Sequence, residues 1–278
     1  MLTWIGNHFK GLLFLLILLL IFMPASKSEL KPSNLQEIKL FGPIIDADKI
    51  LKEIHQAQKD THIKGVLLNI NSPGGAVPPS IEICYAIEEL TKHKPVIAYA
   101  SGILASGSYY ASLYANKIIA NPGSIVGSIG VIMESPNFHP LMEKIGIGTQ
   151  VVKEGTYKQA GTPLREWTPK EREELERLTK DTYTLFVSDV AKARGLDINQ
   201  SKNYADAHIF SSKRAKALGL IDEIGTKNDA KRVLLNLAKV KHPRWKEKDK
   251  LESLIEGLSS KSLFTLQSYF YGLKSTLF

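Results

Sequence analysis

Three stretches of the 278-residue chain carry residue types and spacings that could do chemistry. The first is A-S-G-I-L-A-S-G-S-Y-Y-A-S at 100–112, where an apolar run gives way to small residues and then to a helix-forming stretch. A serine at such a helix start is most often a cap. Here Ala105, Ser106 and Gly107 leave no bulk around the Ser106 hydroxyl, which suits a nucleophile that a peptide backbone must approach, and the Gly107 N–H is a candidate donor to an oxyanion. The second stretch is N-S-P-G-G at 71–75, directly after V-L-L-N-I. Pro73 sets a bend, and two glycines let the backbone pass close to another group, so that the Gly75 N–H can point outward as a second donor. Taken alone this is an ordinary turn. The third is V-V-K-E-G-T-Y-K-Q-A-G-T-P at 151–163, an edge-like strand running into a loop that carries Lys153 and Lys158. Exposed loop lysines usually serve solubility.

Other chemistries find little support. Cys84 is the one cysteine, set among Ile81, Ile83, Ala86 and Ile87, and reads as a small core residue. A single cysteine rules out a disulfide framework and a cysteine-based zinc site. His62, His93, His208 and His242 lie in charged or loop contexts, and no two histidines stand at metal-ligand spacing, so neither a metal nor a cofactor is expected. The formal net charge is +8, but the basic residues are interleaved with acidic ones, as in K-E-R-E-E-L-E-R-L-T-K-D. No basic stripe or nucleic-acid reader motif appears, so nucleic acid is not an expected partner.

The elements that must position these residues alternate between strand and helix. I-K-L-F-G-P-I-I (38–45), I-K-G-V-L-L-N-I (63–70), K-P-V-I-A-Y-A (94–100) and N-K-I-I-A-N-P (116–122) read as strands, the middle ones with the unbroken apolar character of buried parallel strands. Between and after them, helical spacing predicts helices over 46–60, 78–93, 104–115, 137–146, 169–194 and 226–240. The segment 169–194 has Thr168 as cap and Pro169 at its first position. R-A-K-A-L-G-L (214–220) closes on a glycine. This β-α-β-α order predicts an α/β fold around a parallel sheet with right-handed crossovers.

Both ends differ from the body. Sixteen uncharged residues, G-L-L-F-L-L-I-L-L-L-I-F-M-P-A-S, lie between Lys10 and Lys27. At 1.5 Å per residue they make about 24 Å of helix, short of the roughly 30 Å hydrocarbon layer unless Lys10 snorkels and the span extends to Trp4. An uncleaved signal anchor and a signal peptide cut near Ser26-Lys27-Ser28 both fit, the anchor better; either exports the rest of the chain. At the other end, K-H-P-R-W-K-E-K-D-K (241–250) reads as a boundary, and Leu251, Leu254, Ile255 and Leu258 then recur at helical spacing before an aromatic tail.

The three chemical stretches, in this order and with these flanks, resemble the signal peptide peptidase A family, also called protease IV, of the ClpP/crotonase superfamily. The likeness rests on N-S-P-G-G (71–75), A-S-G-S-Y-Y (105–110), G-S-I-G-V (127–131), E-G-T-Y-K-Q-A-G-T-P (154–163) and A-D-A-H-I-F-S-S-K-R-A-K-A-L-G-L-I-D-E-I-G (205–225), and covers about residues 36–240. The usual family sequence is A-S-G-G-Y; Ser108 stands in place of its second glycine, one residue past the turn, where little effect is expected beyond a slightly less permissive loop.

That resemblance implies a ClpP/crotonase-like fold over 29–240, preceded by the anchor or signal peptide (1–28) and followed by a charged linker and amphipathic tail (241–278). It implies a serine endopeptidase with Ser106 as nucleophile, Lys158 as general base, Ser128 orienting the lysine, and Gly75 and Gly107 as the oxyanion hole, with no cofactor. An ammonium cannot take a proton, so the lysine must work neutral, a form that burial favours. Implied partners are peptides left by signal-sequence cleavage, the cell membrane with the catalytic domain on its extracytoplasmic side, and further copies of the chain, typically eight in a ring with the dyad shared between neighbours. His139, in N-F-H-P, is the alternative base by analogy with Ser-His-Asp peptidases, though a turn role suits it better. The same fold also serves acyl-CoA chemistry, and fold alone does not decide function.

Overall fold

The run V-L-L-N-I is the centre of the architecture. Strand β2 (Gly65–Ser72) is buried at every position but Asn71, as an apolar segment covered on both faces must be. The structure, a computed structural model, describes residues 8, 9, 11, 13–15 and 32–247. The chain divides into two units, 1–32 and 33–278. The described residues of the first, apart from Pro32, are helical. Most of the apolar run 11–26 lies outside the described residues, as does the tail from 248 onward. Among the described residues no helix is long and apolar enough to cross a membrane.

In the second unit, β1 (Leu35–Phe41), β2, β3 (Val96–Ala105), β4 (Lys117–Ala120) and β7 (Glu223–Ile224) lie side by side in that order, all parallel. Helices α1 (Asp48–Lys59) and α2 (Val77–Thr91) fall in the crossovers. Helix α1 turns Ile50, Ile54 and Ala57 inward at spacings of four and three, the stripe its sequence predicts. One sheet face carries Ile38, Val66, Leu68 and Ala98 in the main core, which also takes in Ile54, Ile83 and Phe186 from the helices. On the other, Leu35, Leu67, Ile97 and Ile119 meet Ala230 and Leu234 of α8 (Lys227–Leu237).

The mixed α/β architecture and its largely parallel sheet agree with the sequence expectation; the differences are local and fall near the chemical stretches. Strand β3 runs five residues past Ala100 and changes neighbour on the way. Residues 97–100 pair with β4, and Ile103–Ala105 pair with a short strand not anticipated, β5 (Ile125–Gly127). Next to β5 runs β6 (Ile209–Ser211), antiparallel, so the sheet is not purely parallel. These three-residue strands are too short to show a period. Helix α3 (Gly107–Ser112) is half the length expected, and α4 (His139–Lys144) is similarly brief. The expected edge strand at 151–153 does not form: Val151, Val152 and Lys153 are exposed with no strand partner among the described residues.

Helix α5 (Pro169–Arg194) begins where the sequence placed it, on a capping box between Thr168 and Glu171, and ends at Gly195 in the left-handed conformation. Two further short helices, α6 (Ser201–Tyr204) and α7 (Ser212–Ala217), precede β7. The first part of the charged segment 241–250 is docked rather than free: Asn34 and Leu35 donate backbone N–H groups to Arg244 O, and Lys246 N–H donates to Leu35 O.

Candidate active site

Strand β3 ends at Ala105, and Ser106 turns the chain into α3 with φ 53° and ψ −125°. A non-glycine residue at positive φ costs on the order of 1–3 kcal/mol and persists only where its surroundings impose it. Strand, strained serine and helix together make the sharp turn that lifts a serine hydroxyl clear of a sheet. Two bonds impose it here: Ser106 N–H donates to Gly127 O at 2.8 Å, and Tyr110 N–H to Ser106 O at 3.0 Å. Among the described residues the Ser106 side chain makes no hydrogen bond, and it is partly exposed. Behind it α3 is fully buried and pinned by its tyrosines. Tyr109 donates to Leu220 O at 2.8 Å, and Tyr110 donates to the Asp189 carboxylate. Burial, and for Tyr110 the Asp189 carboxylate as well, push both phenols upward, so each stays a donor.

The N-S-P-G-G turn packs directly against this elbow. A Cβ added at Gly74 would stand 2.5 Å from Gly107 N and 2.8 Å from both Ala105 O and Ser106 Cβ, so only glycine fits. Gly75 forms a parallel bridge with Ile44, in which Gly74 O accepts from Ile44 N–H and Ala76 N–H donates to Ile44 O, each at 2.8 Å. In such a bridge the flanking residues face the partner, so the Gly75 N–H points the other way. That way lies Gly107: a Cβ built on it would be 3.3 Å from Gly75 N. Gly107 is the first residue of α3, whose N–H has no intrahelical acceptor. The two expected donors thus lie near one another, Gly107 directly after Ser106 in the chain, an arrangement able to hold a developing oxyanion.

The sequence undervalued Ser108. It is fully buried, and its hydroxyl lies 2.7 Å from Ser72 O and 2.9 Å from Ala105 O, while accepting from Ala105 N–H at 2.9 Å. It ties the end of β2, just before the glycine turn, to the residue before Ser106. Asn71 adds a second tie, its Oδ1 accepting from Ile103 N–H at 2.9 Å. The signal for Ser108 was its departure from the family's usual glycine; its consequence needs the third dimension.

Ser128 is brought close by register. Ala105 pairs with Gly127, so Ser106 and Ser128 follow paired residues on neighbouring strands. Ser128 also sits at positive φ, 51°, with its N–H donated to His208 O at 2.7 Å. Lys158 is not brought to these groups by any bond among the described residues. It lies exposed in the turns of 154–161, and its side chain makes neither hydrogen bond nor ion pair there. The apolar residues flanking it, Val151, Val152 and Tyr157, are all exposed, and among the described residues they form no apolar setting around the amine. His139 opens α4 with its Nε2 3.6 Å from Glu143 Oε1, and no bond directs it to Ser106. No cluster of potential metal ligands occurs among the described residues.

The loop that carries Lys158 is anchored by residues outside the motifs. Glu171, 1% exposed, receives both Arg165 guanidinium nitrogens, at 2.8 and 2.6 Å, and Thr168 N–H at 2.9 Å. The Arg165 side chain first, and the Thr168 backbone next, hold its carboxyl down to about 2.

Comparison with known proteins places the chain among peptidases. The sequence matches the family described as Peptidase family S49 over residues 88–241, more than half of the chain and inclusive of Ser106, Ser128 and Lys158. It is 44% identical to a candidate protease of Methanocaldococcus jannaschii, over 71% of this chain and 64% of that protein. It is 35% identical to a candidate signal peptide peptidase of Enterococcus faecium, over 65% of this chain and 53% of that one. It is 32% identical to a chloroplast serine protease of Arabidopsis thaliana, over 66% of this chain and 27% of that one. The alignments thus leave a third or more of each relative's length unmatched.

Proposed function

The chain belongs to peptidase family S49, and from that premise we propose that it is a membrane-associated serine endopeptidase working through a Ser106–Lys158 dyad. The observation that carries the proposal is the strained Ser106 elbow set against the Gly75 and Gly107 N–H groups.

In this reading the Ser106 hydroxyl attacks a peptide carbonyl while Lys158, as the free amine, takes its proton. The carbonyl oxygen becomes an oxyanion between the two N–H groups. The C–N bond then breaks, the lysine gives its proton to the departing amine, and an acyl-enzyme remains on Ser106. Water, deprotonated by the same lysine, releases the acid. Ser128, beside Ser106, accepts or donates a hydrogen bond that orients the amine.

The exposure of Lys158 favours a base supplied to a neighbouring copy, where a second surface would strip its water. The segment around it supports such a contact: Ile132, Phe138, Leu141, Ile145, Ile147, Val151, Val152 and Tyr157 are all exposed, an apolar surface of the kind that marks an interface. A head-to-tail contact that closes makes a ring. Such a ring, with eight copies as the resemblance implies, would confine the sites around an interior. The apolar run 11–26 between Lys10 and Lys27 supports anchorage at a membrane, with the S49 domain outside the cytoplasm. Unfolded peptides, foremost the remnants of cleaved signal sequences, are the proposed substrates.

The test is a mixing experiment. Ser106→Ala and Lys158→Ala should each abolish hydrolysis and leave the fold intact, and a fluorophosphonate probe should label Ser106 only when an intact Lys158 is present. Mixed oligomers of the two dead variants should regain activity. Demonstrably mixed oligomers that stay dead refute the sharing of the dyad, and activity in folded Lys158→Ala refutes the base.

A further inference from the structure

Loop 154–162 holds itself together with short-range bonds: Lys158 N–H to Gly155 O at 3.3 Å, Ala160 N–H to Tyr157 O at 2.9 Å and Thr162 N–H to Gln159 O at 3.0 Å. These fix its curl but not its direction. Direction comes from tethers to neighbouring segments, and there are few among the described residues. Ser135 Oγ donates to Gly161 O at 3.1 Å, and Trp167 Nε1 donates to Thr162 O at 2.8 Å. The tether nearest to Lys158 is Arg165. Its Nη2 lies 3.2 Å from Oε1 of Gln159, the residue after Lys158, while the same guanidinium grips Glu171 with both nitrogens. Glu171 is fixed in turn by the first turn of α5, through Thr168 N–H and the Thr168 hydroxyl at 3.1 Å. A 26-residue helix is thereby coupled, through a carboxylate and a guanidinium, to the side chain adjoining the lysine.

Fixing a helix end does not require this arrangement. The Thr168–Glu171 capping box already satisfies the start of α5, and an exposed Glu at that position would serve as well. Burying the carboxylate demands a partner, and burying charge is a poor way to gain stability. What the buried carboxylate and its half-buried guanidinium do provide is a fixed geometry: a planar fork against a carboxylate allows one orientation, from which a further Nη2 N–H reaches Gln159.

We propose that Arg165, held by Glu171, is a positioning residue for the reaction: it aims loop 154–162 so that Lys158 meets its serine. This rests on Lys158 being the base, and it makes Arg165 a member of the lysine half of the site. Arg165 touches no substrate and exchanges no proton. Its effect is geometric, and a displacement of about 1 Å in a reacting group costs on the order of 100-fold in rate.

Two measurements on the full-length protein test it. In the first, Arg165→Met should raise amide exchange at 155–162 at least about ten-fold while residues 96–113 keep the parent rates, and kcat should fall about ten-fold or more with KM within about two-fold. Arg165→Lys, which keeps the charge but not the fork, should fall between. Unchanged exchange in the loop, or unchanged kcat with a loosened loop, overturns the proposal. In the second, Arg165→Met protein mixed with Ser106→Ala protein should regain activity, because one copy contributes the serine and the other a well-aimed lysine. Mixed with Lys158→Ala it should not. General damage to the fold would fail in both mixtures and so overturn the proposal. The mixture of Ser106→Ala with Lys158→Ala is the control: if it stays dead, the shared dyad fails, and the positioning role stands or falls on exchange and kcat alone. Activity surviving in Lys158→Ala removes the base and the positioning role with it.

Discussion

Replacing Ser108 by alanine removes one buried hydroxyl and nothing else, and the consequences can be worked from the contacts. The hydroxyl has a single proton, so it donates either to Ser72 O at 2.7 Å or to Ala105 O at 2.9 Å, while accepting from Ala105 N–H. Two hydrogen bonds are therefore present at any moment, although three contacts are short. At about 1 kcal/mol net for each buried bond, the loss is about 2 kcal/mol. For a folded unit of some 200 residues that lowers Tm by about 4–8 °C. The sites of the loss are Ser72, two residues before Gly74, and Ala105, next to Ser106, so both halves of the oxyanion arrangement loosen together. If the whole loss is felt in the transition state, kcat falls by about thirty-fold, the upper bound. Ser108→Gly loses the same bonds and adds backbone freedom in the first turn of α3, so it must be no more stable than Ser108→Ala. Thermal unfolding and steady-state peptide hydrolysis read both quantities. A Tm within one degree of the parent for Ser108→Ala, or Ser108→Gly more stable than Ser108→Ala, refutes the reasoning and returns Ser108 to the neutral role its sequence position suggested.

Three further outcomes rest on other residues. The carboxyl of Glu171 is held well below its unfolded value, so the stability it contributes is fully present above the ordinary carboxylate range and is lost as pH falls toward 2; Glu171→Gln should flatten the acid limb of stability in urea titrations between about pH 5 and 2. An alanine side chain at Gly107 would overlap Ser80 Oγ and stand 3.3 Å from Gly75 N, so Gly107→Ala should cost about 100-fold or more in kcat with the fold retained, and adding Ser80→Ala should recover part of it. Asp206 and Ala207 both sit at φ 58°, the left-handed pair of a primed turn, and Ala207→Gly should stabilise by about 0.5–1 kcal/mol, read as a Tm increase of a few degrees.

The strands and helices that form the scaffold were legible because their signals are local. The unbroken apolar run of β2 and the cap-and-proline start of α5 need no tertiary information to be recognised. Elements built around single glycines and three-residue pairings were not. Strand β5 is Ile-Val-Gly, and what makes it a strand is the Ala105–Gly127 register with a partner 22 residues earlier in the chain. At the site, smallness around Ser106 and the two glycines of N-S-P-G-G were visible in the sequence. That Gly74 is the residue pressed against the elbow, with Gly75 left free to donate, emerges only from the bridge to Ile44. Ser108 was visible only as a departure from the family's usual glycine, and Arg165 and Glu171 read as an ordinary surface arginine and helix-start glutamate; what each ties together is known only from its partners.

The least expected feature is the contrast between the two halves of the proposed dyad. Ser106 is over-determined: strained backbone, buried helix behind it, glycine turn against it, and a hydroxyl tying these together. Lys158 is anchored through its loop yet surrounded by solvent and exposed apolar side chains. Among the described residues no bond of its own chain delivers the amine to Ser106, so one copy holds a prepared serine apart from its proposed base. On the proposed shared dyad, a separate protomer would be inactive with no inhibitor and no moving lid. Desolvation of the amine and delivery to the serine would arrive in one event, the seating of the 132–157 surface against another copy. Dilution of detergent-solubilised protein should therefore extinguish hydrolysis in step with oligomer dissociation, measured by analytical ultracentrifugation beside activity. Full specific activity in a sample shown to be monomeric would remove the need for a second copy and would require Lys158 to fold inward within its own chain.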